Sequence, residues 1–387
     1  MNKEEKKHAA MHEKGLAATV ISGGPAGVGL GTMLAFVLLE SVFFQDLHNY
    51  PVTILLFIWL FVVMIWCAFG VLRHAEVIAA SLGEPAGTLV LTFAVTAIEI
   101  ALLATIMLHG GPNPTLARDT MFATLMLVLN GMVGTALLLG GLRYGAQEYN
   151  LEGARAFLVV LAPLAVFALV LPSFSVTAPD PATAPWKAGV FAVIAAAFYF
   201  IFLAIQTTRH RSFFDMPDDG HNHDEQSEPV VRDAKPTRDL LFHVAMLFLT
   251  LLPIVVLSEY LAVIIDLGIE DLKLPVALGG VFVAIVVLAP EGLTAMNAAR
   301  ANHLQRSVNV CLGSALATLG LTIPAVLIVG LITGRPVQLG LGAEEMVLLV
   351  LTLCVSALTF GGSRTTMLQG LVHLLLLAIY IVFVFSP

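Results

Sequence analysis

Two glutamates sit where a glutamate is hard to keep. Glu99 lies within GTLVLTFAVTAIEIALLATIML (87–108), and Glu291 within VALGGVFVAIVVLAPEGLTAMNAAR (276–300). An ionisable side chain at mid-bilayer depth costs at least a few kcal/mol, so it is kept there for a cation, a proton or a partner. Carboxylates are hard oxygen ligands, suited to Ca2+, Na+ or K+ and poorly suited to soft metals. A carboxylate that binds a cation when ionised and a proton when the cation leaves can run an exchange cycle. Glu99 and Glu291 are therefore the candidate cation- and proton-binding residues.

Their neighbours add weaker oxygen donors. Thr96 precedes Glu99 by three positions and shares its helix face. Thr124, Ser314 and Thr318 are hydroxyls at comparable depth, each an accessory ligand candidate although such residues often serve as helix-packing glue. Pro290 stands beside Glu291 and has no N–H, which frees the carbonyl of Val286 to face a cation. Glu259 and Asp266, seven apart on one helix face, approach the outer end near Lys273 and are candidates for an external access path. His243 and His373 stand alone in apolar runs and read as packing or interfacial residues.

These side chains need membrane helices to position them. The 387 residues are 58% hydrophobic and 12% charged, against about 25% charged in soluble domains. The apolar residues fall in runs of roughly 18–25, the length that crosses a ~30 Å hydrocarbon core. Alternating segments of about ten residues, the mark of a transmembrane barrel, are missing. The chain reads as an all-α membrane protein with eleven transmembrane helices, near 19–44, 51–71, 87–109, 119–141, 155–172, 188–207, 240–265, 275–298, 307–332, 345–361 and 365–386.

With the N-terminus in the cytoplasm, fifteen basic residues fall inside and four outside, together all 19 Lys and Arg. The four are Arg118, Lys187, Lys273 and Arg335. Glu99 is ten residues before the outer end of its span at His109, and Glu291 nine before the inner end of its own at Arg300. At 1.5 Å per residue both lie about 14–15 Å from a surface, near the midplane, on helices running in opposite directions. An odd span count with an opposed acidic pair predicts one solitary helix plus two inverted five-helix repeats, sharing one site between them. The organisation expected is a cytoplasmic tail (1–18), the solitary helix (19–44), a first repeat (51–207), an acidic cytoplasmic loop (208–239) and a second repeat (240–387). The loop carries Asp215, Asp218, Asp219, Asp224, Glu225, Glu228 and Asp233 without EF-hand spacing, and reads as a solvated linker.

Other functions lose ground on the same residues. Cys67, Cys311 and Cys354 lie in apolar runs, offering neither a disulfide framework nor a CxxC metal site. The charged N-terminal segment lacks a signal-type cleavage site. No Walker loop, nucleotide fingerprint, catalytic triad or HExxH occurs, so no enzyme activity and no cofactor is expected. Nothing points to nucleic acid. The expected partners are membrane lipid, cations and protons, with a homo-oligomer left open. A passive cation channel or cation-binding membrane protein is the alternative, but it requires a continuous polar pore face where this chain has isolated polar residues.

The chain resembles the Ca2+/cation antiporter superfamily, in its calcium/proton exchanger branch. The resemblance rests on RHAEVIAASLGEPAGTLVLTFAVTAIEIALL (73–103), LLLGGLRYGAQEYN (137–150), LAPEGLTAMNAARANHLQRSVNVCLGSALATLGLTIP (288–324) and GGSRTTMLQGLVHLLLLAIYIVF (361–383). VTAIE (95–99) and VLAPE (287–291) stand where that family has its two GNAxE motifs, with the glutamate kept and the Gly-Asn pair absent. The resemblance implies a secondary transporter in the bacterial inner membrane that exports Ca2+, Na+ or K+ against protons. It also implies the one-plus-five-plus-five layout and an outer access role for Glu259. The missing Gly-Asn pairs imply looser calcium selectivity.

Overall fold

In the computed structural model, residues 23–83, 86–109, 113–175, 184–209, 211–214 and 237–385 are described. The expected cytoplasmic tail and nearly all of the acidic loop lie outside these residues. Among the described residues nine helices are long and apolar enough to cross a membrane. In chain order, counting two shorter ones, the helices are α1 (Gly23–Leu38), α2 (Tyr50–Leu82), α3 (Ala86–His109), α4 (Leu116–Tyr144), α5 (Leu151–Phe174) and α6 (Pro185–Thr207). They continue as α7 (Thr237–Leu272), α8 (Ala277–Arg300), α9 (Leu304–Thr333), α10 (Ala343–Thr359) and α11 (Met367–Phe385). The short ones are α1 and α10.

Large apolar side chains cover the outside of this bundle. Ile332, Phe174 and Leu358 are more than 70% exposed, a surface that water would penalise and lipid tails accept. The chain is an integral membrane protein. Its interior is as apolar as its surface, so helices are held by close packing and buried polar contacts. Gly280 of α8 shows how close: a Cβ there would lie 2.6 Å from the Thr120 backbone nitrogen of α4.

Helices α2 and α7 extend well beyond the apolar runs, to Leu82 and from Thr237 to Leu272. The extra turns are amphipathic, so hydropathy alone ends them early. The histidines that stand alone in the sequence have polar partners on neighbouring helices. His74 of α2 and His243 of α7 approach with their Nδ1 atoms 2.9 Å apart, one donating and one accepting. His373 of α11 also has partners. Its Nδ1 lies 3.1 Å from Asn130 Oδ1 on α4, and its Nε2 lies 3.0 Å from Thr359 Oγ1 on α10. Asn130 in turn donates to Thr352 Oγ1 at 2.9 Å. All of these groups but the half-buried His243 are buried, and an unmade hydrogen bond there would cost about 1–3 kcal/mol.

Three helices are interrupted by π-helical turns, at Leu127–Met132 in α4, Val166–Val170 in α5 and Thr318–Thr322 in α9. In α9 the cause is local: Pro324 cannot donate to the Gly320 carbonyl, so the ladder shifts just before it. The turn re-aims Thr322.

The two ends of the bundle are fastened differently. At the end carrying most Lys and Arg, here the basic end, β1 (Ala146–Glu148) pairs antiparallel with β2 (Arg364–Thr366). Beside them Gln147 Nε2 donates to the Ala299 carbonyl at 3.0 Å, and Tyr144 Oη to that of Arg300 at 2.9 Å, closing the end of α8. At the opposite end the segment between α9 and α10 crosses the bundle. Gln338 N donates to the Pro114 carbonyl at 2.9 Å and Leu341 N to that of Leu169 at 2.9 Å. Arg118 adds 3.0 Å and 2.8 Å contacts to the Gly340 carbonyl and Asp119.

Candidate cation site

Glu99 and Glu291 line one cavity of about 370 Å3. Three helices build it. Helix α3 presents Thr92, Thr96 and Glu99, α8 presents Glu291 and Thr294, and α9 presents Ser314 and Thr318. These positions on each helix are three or four apart, so each set falls on one face. Helix α6 closes the wall with Tyr199 and Phe202.

The carboxyls are held by hydroxyls. Thr318 Oγ1 donates to Glu99 Oε2 at 2.9 Å, and Ser314 Oγ donates to Glu291 Oε2. Both donors come from α9, one turn apart, so this single helix aligns both acids. Glu99 is 2% exposed, and its Oε1 is buried with no hydrogen-bond partner. Thr322 is close enough to act on the same carboxyl, yet its hydroxyl makes no direct hydrogen bond. Glu291 is partly open to the cavity, and the two carboxyls are near enough to feel each other's charge. An ionised pair so placed needs a counter-charge from a cation or protons.

The other predicted residues divide. Thr96, Ser314 and Thr318 line the cavity, while Thr124 and Val286 are buried outside its lining. Val287, one position on, takes the lining place. Glu259 and Asp266 lie on α7 away from the cavity, Glu259 half-buried and Asp266 exposed. Thr92, Tyr199, Thr294 and Asn309 line the site without having been singled out from the sequence. Thr92 was recoverable, being seven positions before Glu99 on one face; Tyr199 carried no such signal.

Thr318→Ala removes a donor to a buried acid. A hydrogen bond to a charged group is worth about 1.5–3 kcal/mol, so the half-saturating cation concentration should rise at least about tenfold. Cation titration of exchange measures it, and an unchanged value means that Thr318 does not act on Glu99.

The fold and the relatives of this chain define a secondary transporter that exchanges cations, not an enzyme. The chain belongs to the sodium/calcium exchanger protein family, whose model matches residues 52–208 and 242–386. It is similar to the sodium-potassium/proton antiporter ChaA of Escherichia coli K12, 36% identical over 87% of this chain and 90% of that one. It is 40% identical to the putative ionic transporter y4hA of Sinorhizobium fredii NGR234, over 81% of this chain and 84% of that protein. The solved structure of native YfkE superposes with a TM-score of 0.71 at 19% identity, covering 93% of this chain and 99% of that one, which shows the shared fold.

Proposed function

We propose that the protein exports Na+, K+ or Ca2+ from the cytoplasm in exchange for protons, at one midplane site built from Glu99 and Glu291. The observation that carries this reading is their convergence on one cavity whose lining reaches the basic end. From Glu99 the lining passes to Gln206, Thr207 and Arg306 at the basic end. Toward the opposite end Gly280 packs against the Asp119–Thr120 backbone. With the N-terminus in the cytoplasm, the basic end is cytoplasmic and the site faces inward. Helices α1 and α10 complete eleven spans in this reading, with α2–α6 and α7–α11 as the inverted repeats in the inner membrane. The asymmetry of the closure supports it. Helix α8 packs on α4 through Gly280, whereas their repeat counterparts, α3 and α9, share the cavity wall and meet there through Thr318 and Glu99. Exchanging those two conditions moves the site to the other face.

In the inward state the ionised pair takes a cytoplasmic cation. In the outward state external protons displace it, and a neutral site returns across the low-dielectric barrier at lower cost. Thr96, Thr318 and Ser314 act as accessory ligands or as donors to the acids. Two protons for one Ca2+ is electroneutral. One pH unit then supplies about 2.7 kcal/mol, close to a hundredfold Ca2+ gradient.

A single positive ion asks less of two carboxylates and a few hydroxyls than Ca2+, which takes six to eight oxygens. The expected result in everted vesicles with a preformed pH gradient is collapse on adding Na+ or K+, increasing from pH 7 to 9 as protons compete less for the acids. A response to Ca2+ alone across that range leaves a dedicated calcium exchanger. No response to any of the three overturns the antiporter reading.

A further inference from the structure

The cavity has a charged rim. Three acids line it, Glu99 and Glu291 in depth and Glu76 of α2 near the mouth. A single basic side chain lines it, Arg306 of α9, on the first turn of that helix and exposed. No ion pair joins Arg306 to Glu76 among the described residues. Both charges therefore stand in the solvated mouth, through which any ion from the basic end must pass.

We infer that Arg306 is a selectivity-determining residue, a fixed positive charge in the mouth that offsets Glu76 and disfavours entry of divalent cations relative to monovalent ones. This rests on the antiporter reading above and deepens it. The argument is electrostatic. The concentration of an ion of valence z at a point of potential ψ changes by exp(−zeψ/kT), so whatever factor the guanidinium imposes on Na+ or K+ is squared for Ca2+. A unit charge acting through water over roughly 5 Å, inside the Debye length, is worth about twofold for a monovalent ion, and so about fourfold for a divalent one. Neither Arg306 nor Glu76 touches the hydroxyl-held carboxyls, so the effect falls on entry and apparent affinity, not on turnover. Glu76 acts in the opposite sense. Among the described residues the native rim carries one charge of each sign. Removing Arg306 leaves it acidic, and removing Glu76 leaves it basic.

The test uses the whole protein in everted vesicles, with KM measured for Na+, K+ and Ca2+ at low and at high ionic strength. Arg306→Gln should lower KM about twofold for the monovalent ions and about fourfold for Ca2+, with maximal rates unchanged. Glu76→Gln should raise the same constants by similar factors, and the double variant should return near wild type. At high ionic strength the differences should shrink toward one, because exposed charges are screened. Equal changes for all three ions, or changes that persist at high salt, would mean that Arg306 acts through packing and would overturn the inference. Unaltered KM values would do the same. Wild-type vesicles serve as the control: exchange absent there defeats the antiporter reading, whereas exchange present but blind to rim charge defeats only the role given to Arg306.

Discussion

Glu99→Gln and Glu291→Gln should each lower cation/proton exchange by about a hundredfold or more while leaving the protein inserted and folded. The amide keeps the shape of each side chain and the oxygen that Thr318 or Ser314 bonds. It removes the charge. Taking one member from a buried charged cluster costs about 3–5 kcal/mol, because the remaining charges lose their compensation. In the empty protein the amide is instead easier to bury than the acid, so expression and thermal stability should hold or rise. The measurement is dissipation of a preformed pH gradient by Na+, K+ and Ca2+ in vesicles containing equal amounts of each variant. If either single substitution retains near-normal exchange, the acids do not share one ion and the site is misassigned.

The second large effect is expected at Gly280. Its neighbours are the backbone atoms of Asp119 and Thr120, which cannot rotate aside as a side chain can. Gly280→Val should force α8 from α4 on the side away from the cavity. Overpacking of this kind costs about 1–3 kcal/mol, enough to move a two-state equilibrium roughly tenfold or more. A single cysteine placed at Thr294, on the cavity wall, reports the outcome through its labelling rate from the basic end. The rate should fall, and transport with it. Gly279→Val is the control, since its nearest neighbours are side chains of Ile265 and Leu116 at 3.8 Å. Equal labelling and transport in both variants would show that this contact is not the closure.

The helical membrane class was legible because lipid leaves the backbone few alternatives, and the composition of the runs reports it directly. Glu99 and Glu291 stood out for the same reason: an acid in an apolar run is rare. What the sequence hid depends on geometry between helices. His243 looks isolated because its partner, His74, is 169 positions away. His373 likewise meets Asn130 across 243 positions. The π-helical turn that begins at Thr318 changes the face that Thr322 presents, and a regular 3.6-residue count cannot anticipate it. Val286 shows the converse. Removing its helical hydrogen bond made its carbonyl a reasonable ligand, yet the lining passes through Val287.

The small sheet at the basic end has a consequence for biogenesis. Its first strand, Ala146–Glu148, is made when well under half of the chain exists, and its partner, Arg364–Thr366, just before the last helix. Gln147 and Tyr144 likewise await the carbonyls of Ala299 and Arg300, which come earlier than the second strand. A ribosome therefore delivers the early helices to the membrane with an unpaired edge, and that edge is satisfied only once Arg364–Thr366 has been made. Premature termination anywhere before Arg364 leaves it open. The sheet therefore ties the loop between α4 and α5 to the segment just before α11, so that this end of the bundle closes only after both have been made.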